Sequence, residues 1–198
     1  MSTSFNSPEP ALISVHPLTP ERQQDWLRFF DHDAFADHPD WAFCYCHCLH
    51  ADTSVKKWTE RTAEENRRAA IPLIEQRRLK GLLAYAEGKV IGWCQAASGE
   101  DIPALHDEPG ATDDGTGNIV CFVVAAAWRR KGVARLLLEA ACDSLRSQGM
   151  SHAQAYPARE APNAGAMHLG PVKLYLDTGF EIWRDSPDDP SLTVRRKL

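Results

Sequence analysis

The part of this sequence best suited to hold an anion is a short basic turn, Arg129-Arg130-Lys131-Gly132-Val133-Ala134. It follows an apolar stretch over 118–124 that predicts a buried strand, and it precedes the amphipathic pattern of a helix over 132–149. The first backbone N–H groups of a helix lack partners within the helix and carry a partial positive charge. Gly132 lets a ligand approach the backbone closely, and the neighbouring cationic side chains complement phosphate. In this context the turn favours a diphosphate ligand, whereas the same residues in isolation would favour a solvated helix start.

Two other phosphate-binding patterns are missing from the sequence. No G-x-x-x-x-G-K-[ST] segment occurs, so a nucleoside-triphosphate loop is not supported. No G-x-G-x-x-G segment occurs either, so a dinucleotide-binding turn is not supported. The net charge of -5 gives no electrostatic argument for nucleic acid, and no apolar run is long enough to cross a membrane.

A second group of reactive side chains lies in a segment rich in cysteine and histidine, Cys44-Tyr45-Cys46-His47-Cys48-Leu49-His50. The spacing disfavours zinc, because structural zinc sites usually combine a C-x-x-C pair with a second, distant pair. If the segment is a strand, its alternate cysteines share one face. We rank core or substrate-pocket lining first, a redox-sensitive thiol second and a metal third, so no metal is expected.

Length and composition predict a single domain over 11–198, preceded by a flexible tail over 1–10. Apolar residues make up 43% and charged residues 25%, as in ordinary soluble globular proteins. The polar start lacks the basic and apolar regions of an export signal, so we expect a cytoplasmic protein. We therefore expect the six cysteines to be free thiols.

Hydrophobic periodicity predicts strands and helices in alternation along the chain. The predicted strands cover 11–16, 82–86, 90–97, 118–124, 153–156, 180–184 and 192–198. The predicted helices begin at Pro20, cover 55–78 with a kink or a new start near Pro72, and cover 132–149 and 171–178. Glu87 and Gly88 predict a tight hairpin turn, and the acidic stretch 98–117 predicts a surface loop. This order indicates an α/β or α+β domain with helices on the faces of a central sheet.

Two sequence blocks carry a resemblance to a known family. Arg129, Gly132 and Ala134 meet the pattern Q/R-x-x-G-x-G/A. A block similar to L-Y-x-x-x-G-F-E follows downstream, Leu174-Tyr175-Leu176-Asp177-Thr178-Gly179-Phe180-Glu181. In this order and spacing, within a matching core over 81–198, the blocks resemble the GNAT superfamily of N-acetyltransferases. The resemblance implies a mixed, mostly antiparallel central sheet flanked by helices, with a splayed strand pair at the acyl-CoA site.

The resemblance also implies acetyl-CoA as the acyl donor and assigns residues to it. Backbone groups of Phe122 and Val124 would bind the pantetheine arm as a pseudo-strand, and the N–H of Val124 would stabilise the oxyanion. The pyrophosphate would lie against Arg129, Arg130, Lys131, Gly132, Val133 and Ala134. Tyr175 occupies the family's general-acid position, with a packing role as the alternative. An Asn commonly lies seven residues before that Tyr, where this sequence has His168; a cofactor contact, a proton relay and a plain loop histidine all stay open.

The function implied by the resemblance is an acetyl-CoA-dependent N-acetyltransferase. The primary amine of a small molecule or peptide would attack the thioester directly, after a base or a water chain takes its proton. Acidic residues within 100–114 are candidate bases by loop position alone, and the sequence does not identify the acceptor. Two alternatives stay open: a non-catalytic acyl-CoA-binding regulatory module, and a thiol or metal sensor that uses Cys44, Cys46 and Cys48. Neither nucleic acid nor a membrane is an expected partner, and a homodimer is compatible with the family.

Overall fold

Seven strands form one sheet at the centre of the protein. The computed structural model describes residues 12–160, 168–187 and 189–198, so the tail predicted over 1–10 lies outside the described residues. In chain order the strands are β1 Ser14–Pro17, β2 Gly81–Ala86, β3 Lys89–Ser98, β4 Thr116–Val124, β5 His152–Ala155, β6 Glu181–Arg184 and β7 Thr193–Lys197. They lie in the order β1-β2-β3-β4-β5-β7-β6, and every neighbouring pair is antiparallel except the parallel pair β4 and β5. The predicted mixed, mostly antiparallel sheet is confirmed.

Helices cover both faces of this sheet. They are α1 Gln23–Arg28, α2 Ala63–Glu75, α3 Val133–Ser147 and α4 Val172–Leu176. α3 and α4 pack on one face and bury Leu137 and Tyr175, while α1 and α2 pack on the other and bury Trp26 and Ile74. Full burial of a large apolar side chain contributes about 1.5–3 kcal/mol, so both layers stabilise the sheet. No helix in the described ranges combines the length and apolar character needed to cross a lipid bilayer.

The N-terminus of α2 lies later in the chain than predicted, and its cap explains why. The side-chain oxygen of Thr62 accepts a hydrogen bond from the N–H of Glu65 (3.2 Å), and the Glu65 carboxylate accepts one from the N–H of Thr62 (2.8 Å). This reciprocal cap starts the helix at Ala63 rather than near residue 55. Of the two outcomes predicted at Pro72, the start of a second helix is wrong, because α2 continues through the proline to Glu75.

The hairpin between β2 and β3 forms as predicted. Glu87 and Gly88 have φ values of 52° and 75°, which are the left-handed values that a two-residue hairpin turn requires. β1 begins at Ser14 rather than at residue 11. β3 therefore pairs with β2 along one edge and with β4 along the other.

The acidic stretch 98–117 is more structured than a surface loop. Short 3-10 turns fold it back on itself, and Ile102, Leu105 and Ala111 are buried beneath it. Its last residues already belong to β4, which begins at Thr116. The apolar residues interspersed among the acidic ones explain the difference, because burying them fixes the path of the chain.

Candidate active site

β4 and β5 separate halfway along β4, and over 120–124 no strand of the described residues pairs with this edge, which we call the open edge. Their parallel pairing runs only from Thr116 to Ile119 of β4. β4 continues to Val124 without this neighbour. After β5 the chain continues on the side of β7, where Ala158 bridges Ser191. The two strands therefore form the splayed pair that the resemblance implies.

A bulge in β4 lies at the level of the separation. Gln95 pairs with Cys121 and Ala96 with Ile119, so Val120 has no partner on β3. A bulge bends its strand and increases the local twist. This bend accounts for the different directions of β4 and β5 beyond Ile119.

The backbone of the second half of β4 offers hydrogen-bonding groups at the open edge. The N–H of Ala125 donates to the carbonyl of Ile91 on β3 (3.0 Å). Because successive residues of a strand direct their backbone groups to opposite edges, Phe122 and Val124 direct theirs away from β3. The carbonyl of Val124 accepts a hydrogen bond from Nε of Arg129 (3.0 Å). Both residues predicted to bind pantetheine thus lie on the open edge; their role stays a prediction.

The basic turn leads from β4 into α3 with an open helix end. Arg130 and Gly132 have φ values of 63° and 82°, so the turn uses the left-handed region twice. Gly132 is the N-cap of α3 and has no side chain that could satisfy the first N–H groups, those of Val133 and Ala134. A Cβ built on Gly132 would meet no atom within 4 Å. Unpaired N–H groups at the positive end of a helix, with open space in front, fit a phosphate-bearing ligand.

The three cations of this turn have different surroundings. Arg129 forms an ion pair with Asp37, with 2.5 Å between Nη1 and Oδ2. The ammonium of Lys131 lies 5.2 Å from the centre of the Trp128 ring, at cation–π distance. Arg130 is exposed. Arg129 therefore fastens the turn to the N-terminal part of the chain, and its charge is partly neutralised there.

A cavity of about 550 Å³ opens beside the separated strands. Val120, Cys121 and Val123 of β4 line it from the sheet, and side chains of 41–58 line it from the N-terminal segment. The aromatic lining residues are Phe30, Phe35, Trp41, Phe43, Trp58 and Tyr156. The polar lining residues are Gln95, Glu108, His168, Asp189, Ser191 and Thr193. A concave, mostly apolar cavity of this size with a few polar groups is typical of a small-molecule site.

The cysteine and histidine segment is not a strand. It consists of turns, and Tyr45 and Cys46 have left-handed φ values of 46° and 45°. The arrangement considered for a strand, with alternate cysteines on one face, therefore does not apply. Instead the Sγ atoms of Cys44 and Cys48 lie 3.6 Å apart, and that of Cys46 lies 3.5 Å from Cys121 Sγ on β4.

All three cysteines of the segment line the cavity, in agreement with the pocket-lining interpretation. They are free thiols. The thiol contact with Cys48 holds the pKa of Cys44 below its usual value, whereas the pKa of Cys46 is raised by its thiol contact with Cys121 and by burial. Within 12–160, 168–187 and 189–198, no group of three or more His, Cys, Asp or Glu residues is arranged to hold a metal ion.

Tyr175 lies on the α3 side of the sheet and is 1% exposed. Its hydroxyl donates a hydrogen bond to the carbonyl of Leu169 (2.7 Å), and its ring contacts Phe122 edge-on at 6.3 Å. Burial raises the pKa of the phenol well above its usual value, so the hydroxyl keeps its proton. Leu169 and His168 line the cavity. The hydroxyl is thus linked to the cavity lining by its hydrogen bond to Leu169.

Glu108 is a potential functional residue that sequence reasoning did not single out. It lies within the acidic stretch, and the fold brings it to the cavity together with Asp189 from the other end of the chain. Burial first and the neighbouring Asp189 second raise the pKa of Glu108 above its usual value. Its loop position made it one of several candidate bases within 100–114, and only the folded stretch distinguishes it from the others.

Solved structures of known proteins share this architecture at low sequence identity. The PaiA N-acetyltransferase of Thermoplasma acidophilum, in complex with coenzyme A, is 14% identical; the match covers 94% of this chain and 99% of that one, with a TM-score of 0.55. A GCN5-related N-acetyltransferase from Kribbella flavida is 20% identical, with 94% and 98% covered and a TM-score of 0.55. The aminoglycoside acetyltransferase AAC(6')-Ib, in complex with coenzyme A and kanamycin, is 16% identical, with 94% and 95% covered and a TM-score of 0.59. These likenesses show the fold.

The sequence itself carries the family assignment. No curated protein matches the chain. The family model described as Acetyltransferase (GNAT) family matches residues 21–180, which include β4, the basic turn and the block around Tyr175. Because this match spans most of the chain, the protein belongs to the GNAT acetyltransferase family.

Proposed function

We propose that the protein transfers an acetyl group from acetyl-CoA to the primary amine of a small molecule or peptide. One observation carries the proposal: an open strand edge, a left-handed turn and an uncapped helix N-terminus follow one another directly between 120 and 135, beside a cavity. A protein that bound only a phosphate would need no more than the uncapped helix N-terminus. The open edge additionally fits an extended pantetheine arm, and the cavity fits an acceptor.

Acetyl-CoA would supply the acetyl group in activated form, as a thioester. Backbone groups of Phe122 and Val124 would hold the pantetheine arm in the manner of an added strand. The diphosphate would lie against the turn, at Arg129, Arg130, Lys131, Gly132, Val133 and Ala134. Since Arg129 already bonds to Asp37 and to the Val124 carbonyl, its main contribution would be to hold the turn in shape.

The transfer forms a bond between the amine nitrogen and the acetyl carbon and breaks the bond from that carbon to sulfur. The N–H of Val124 would stabilise the negative charge that develops on the carbonyl oxygen. Tyr175 would donate the proton that the departing thiolate takes up, because its hydroxyl is protonated and is hydrogen-bonded to Leu169, which lines the cavity. This donation requires the hydroxyl to leave the Leu169 carbonyl.

We assign Glu108 as the base that takes the proton from the attacking amine. The amine must lose a proton to become a nucleophile. Glu108 lines the cavity, and its raised pKa makes it a better proton acceptor than an ordinary surface carboxylate. The neighbouring Asp189 adds negative charge, which favours a cationic amine over a neutral or anionic compound.

An assay of CoA release tests the function. Purified protein is mixed with acetyl-CoA and with a panel of primary amines, and the thiol released is followed with a thiol-reactive dye. We expect release that depends on the amine, with N-acetylated product detected by mass spectrometry. Binding of CoA without transfer to any amine would instead support the non-catalytic acyl-CoA-binding alternative. The free state of all six cysteines fits a reducing, cytoplasmic location for this activity.

A further inference from the structure

The walls of the cavity favour a guest with an apolar, aromatic body. Six aromatic side chains line it, and the rings of Phe43 and Trp58 lie 5.3 Å apart on one wall. Three cysteine sulfurs of the N-terminal segment, together with Leu49 and Leu105, extend this apolar surface. Among the described residues that line the cavity there is no lysine or arginine. The lining therefore suits a cation with one charged end and a ring system.

Gln95 places an unpaired hydrogen-bond acceptor in this wall. It is fully buried on β3, opposite Cys121 and next to the bulge that opens β4. Its Nε2 lies 3.0 Å from Nε2 of His50, whereas its Oε1 has no partner. Burial lowers the pKa of His50 to about 4, so the ring is neutral and can accept the Gln95 amide hydrogen.

A buried acceptor without a partner is rare in folded proteins and calls for a ligand or a functional reason. Of the unsatisfied buried side-chain atoms among the described residues, Gln95 Oε1 is the one whose residue lines the cavity. An ammonium or amine N–H is the donor that an N-acetyltransferase would bring to this place. The position next to the open half of β4 is also where the acetyl group would be presented.

We infer that the acceptor is a monoamine with an aromatic body, of the arylalkylamine type, whose nitrogen donates a hydrogen bond to Oε1 of Gln95. The inference rests on the proposed function for the reaction, but the binding it describes can be measured without any turnover. Polyamines and aminoglycosides fit less well, because their several charges and hydroxyl groups would lie against aromatic rings without partners. Gln95 is thus a specificity-determining residue, and Glu108 and Asp189 supply the complementary charge.

The first test compares amine classes on the full-length protein. Tryptamine, 2-phenylethylamine, spermidine and kanamycin are titrated by calorimetry into protein saturated with CoA, and the same four are used in the acetyl-transfer assay. We expect the arylalkylamines to bind at least about tenfold more tightly than spermidine or kanamycin, and to show at least about tenfold higher kcat/KM. Equal or tighter binding of spermidine or kanamycin would overturn the inference.

The second test removes the acceptor atom and one aromatic wall. In Gln95→Leu, which keeps a similar volume, and in Trp58→Leu, we expect the Kd for tryptamine to rise about tenfold while the Kd for CoA stays unchanged. Gln148→Leu changes an exposed residue at the C-terminal end of α3 that does not line the cavity, and it serves as the matched control. Unchanged tryptamine affinity in both cavity variants would contradict the assignment. If one variant proves unstable, unchanged affinity in the other has the same meaning.

The two proposals fail in different ways. If tryptamine binds through Gln95 but no amine is acetylated, the acceptor class stands and the proposed catalysis falls. If spermidine is acetylated and arylalkylamines neither bind nor react, the catalysis stands and the acceptor class falls.

Discussion

The open space in front of α3 allows a direct test of the diphosphate site with Gly132→Glu. A Cβ at this position meets no atom within 4 Å, so the new side chain starts in open space. Its backbone cost is that of a left-handed residue, about 1–2 kcal/mol of stability. Its effect on binding comes from placing a carboxylate where phosphate charge must lie. Two unit charges about 4 Å apart interact with about 1 kcal/mol in water and about 4 kcal/mol at an effective dielectric constant of about 20.

A repulsion of about 2.7 kcal/mol, within this range, corresponds to a loss of about 100-fold in CoA affinity. Gly149 provides the matched control at the opposite end of the same helix. It has a φ of 86° and equally open surroundings. Gly149→Glu therefore adds the same backbone strain and the same charge about 22 Å away along the axis of α3. At this separation salt screens the interaction between exposed charges.

Calorimetric titration with CoA, together with thermal unfolding, measures both quantities. We expect both variants to lose stability, Gly149→Glu the more because its carboxylate lies at the negative end of α3, and only Gly132→Glu to lose CoA affinity. If Gly132→Glu binds CoA within about threefold of the unaltered protein, or if both variants lose affinity equally, the diphosphate is not held at this helix end.

Three further outcomes follow from the surroundings of single side chains. Tyr175→Phe should lower kcat at least about tenfold with little change in KM for acetyl-CoA, and full activity would leave Tyr175 a packing residue. The lost hydrogen bond to the Leu169 carbonyl should lower the free energy of unfolding by about 1–3 kcal/mol, as measured by chemical denaturation. Glu108 must be ionised to act as a base, and its pKa is raised, so kcat/KM should fall as the pH drops through a value above the pKa of an ordinary glutamate. Glu108→Gln should remove this acid limb together with most of the activity, and an unchanged pH profile would exclude Glu108 as the base. Because the pKa of Cys44 is lowered, iodoacetamide should label Cys44 before Cys46 and Cys48, as read by peptide mass spectrometry. Earlier labelling of Cys46 or Cys48 would contradict the lowered pKa of Cys44.

The basic turn could be predicted because its function depends on local order. A buried strand, a glycine and an amphipathic helix are adjacent in the chain, and their hydrogen-bonding consequences follow from helix geometry alone. The hairpin at Glu87 and Gly88 was predictable for the same reason. Even so, the open edge beside Phe122 and Val124 came from the family resemblance, since no local pattern reports where β5 ends.

The cavity could not be predicted, because residues far apart in the chain form it. Gln95 lies among apolar residues of β3 and gave no sign of its unpaired oxygen. Glu108 and Asp189 line the same cavity only because of the fold, so the effect of the Asp189 charge on the pKa of Glu108 could not be predicted from the sequence. The alternate spacing of the cysteines over 44–48 does not reflect a strand, because Tyr45 and Cys46 have left-handed φ values and the segment consists of turns.

The open half of β4 also has a consequence for the solubility of the protein. An unpaired strand edge is a template on which a second chain can add a strand, and soluble proteins usually keep such edges short or covered. Among the residues that the structure describes, the unpaired stretch is limited to 120–124, and the basic turn that follows it carries like charges that repel a second copy. A pantetheine arm bound at this edge would occupy the same backbone groups. Acetyl-CoA would then act on the protein as a stabiliser against self-association as well as a substrate, and the cofactor-free protein would be the form most prone to aggregate.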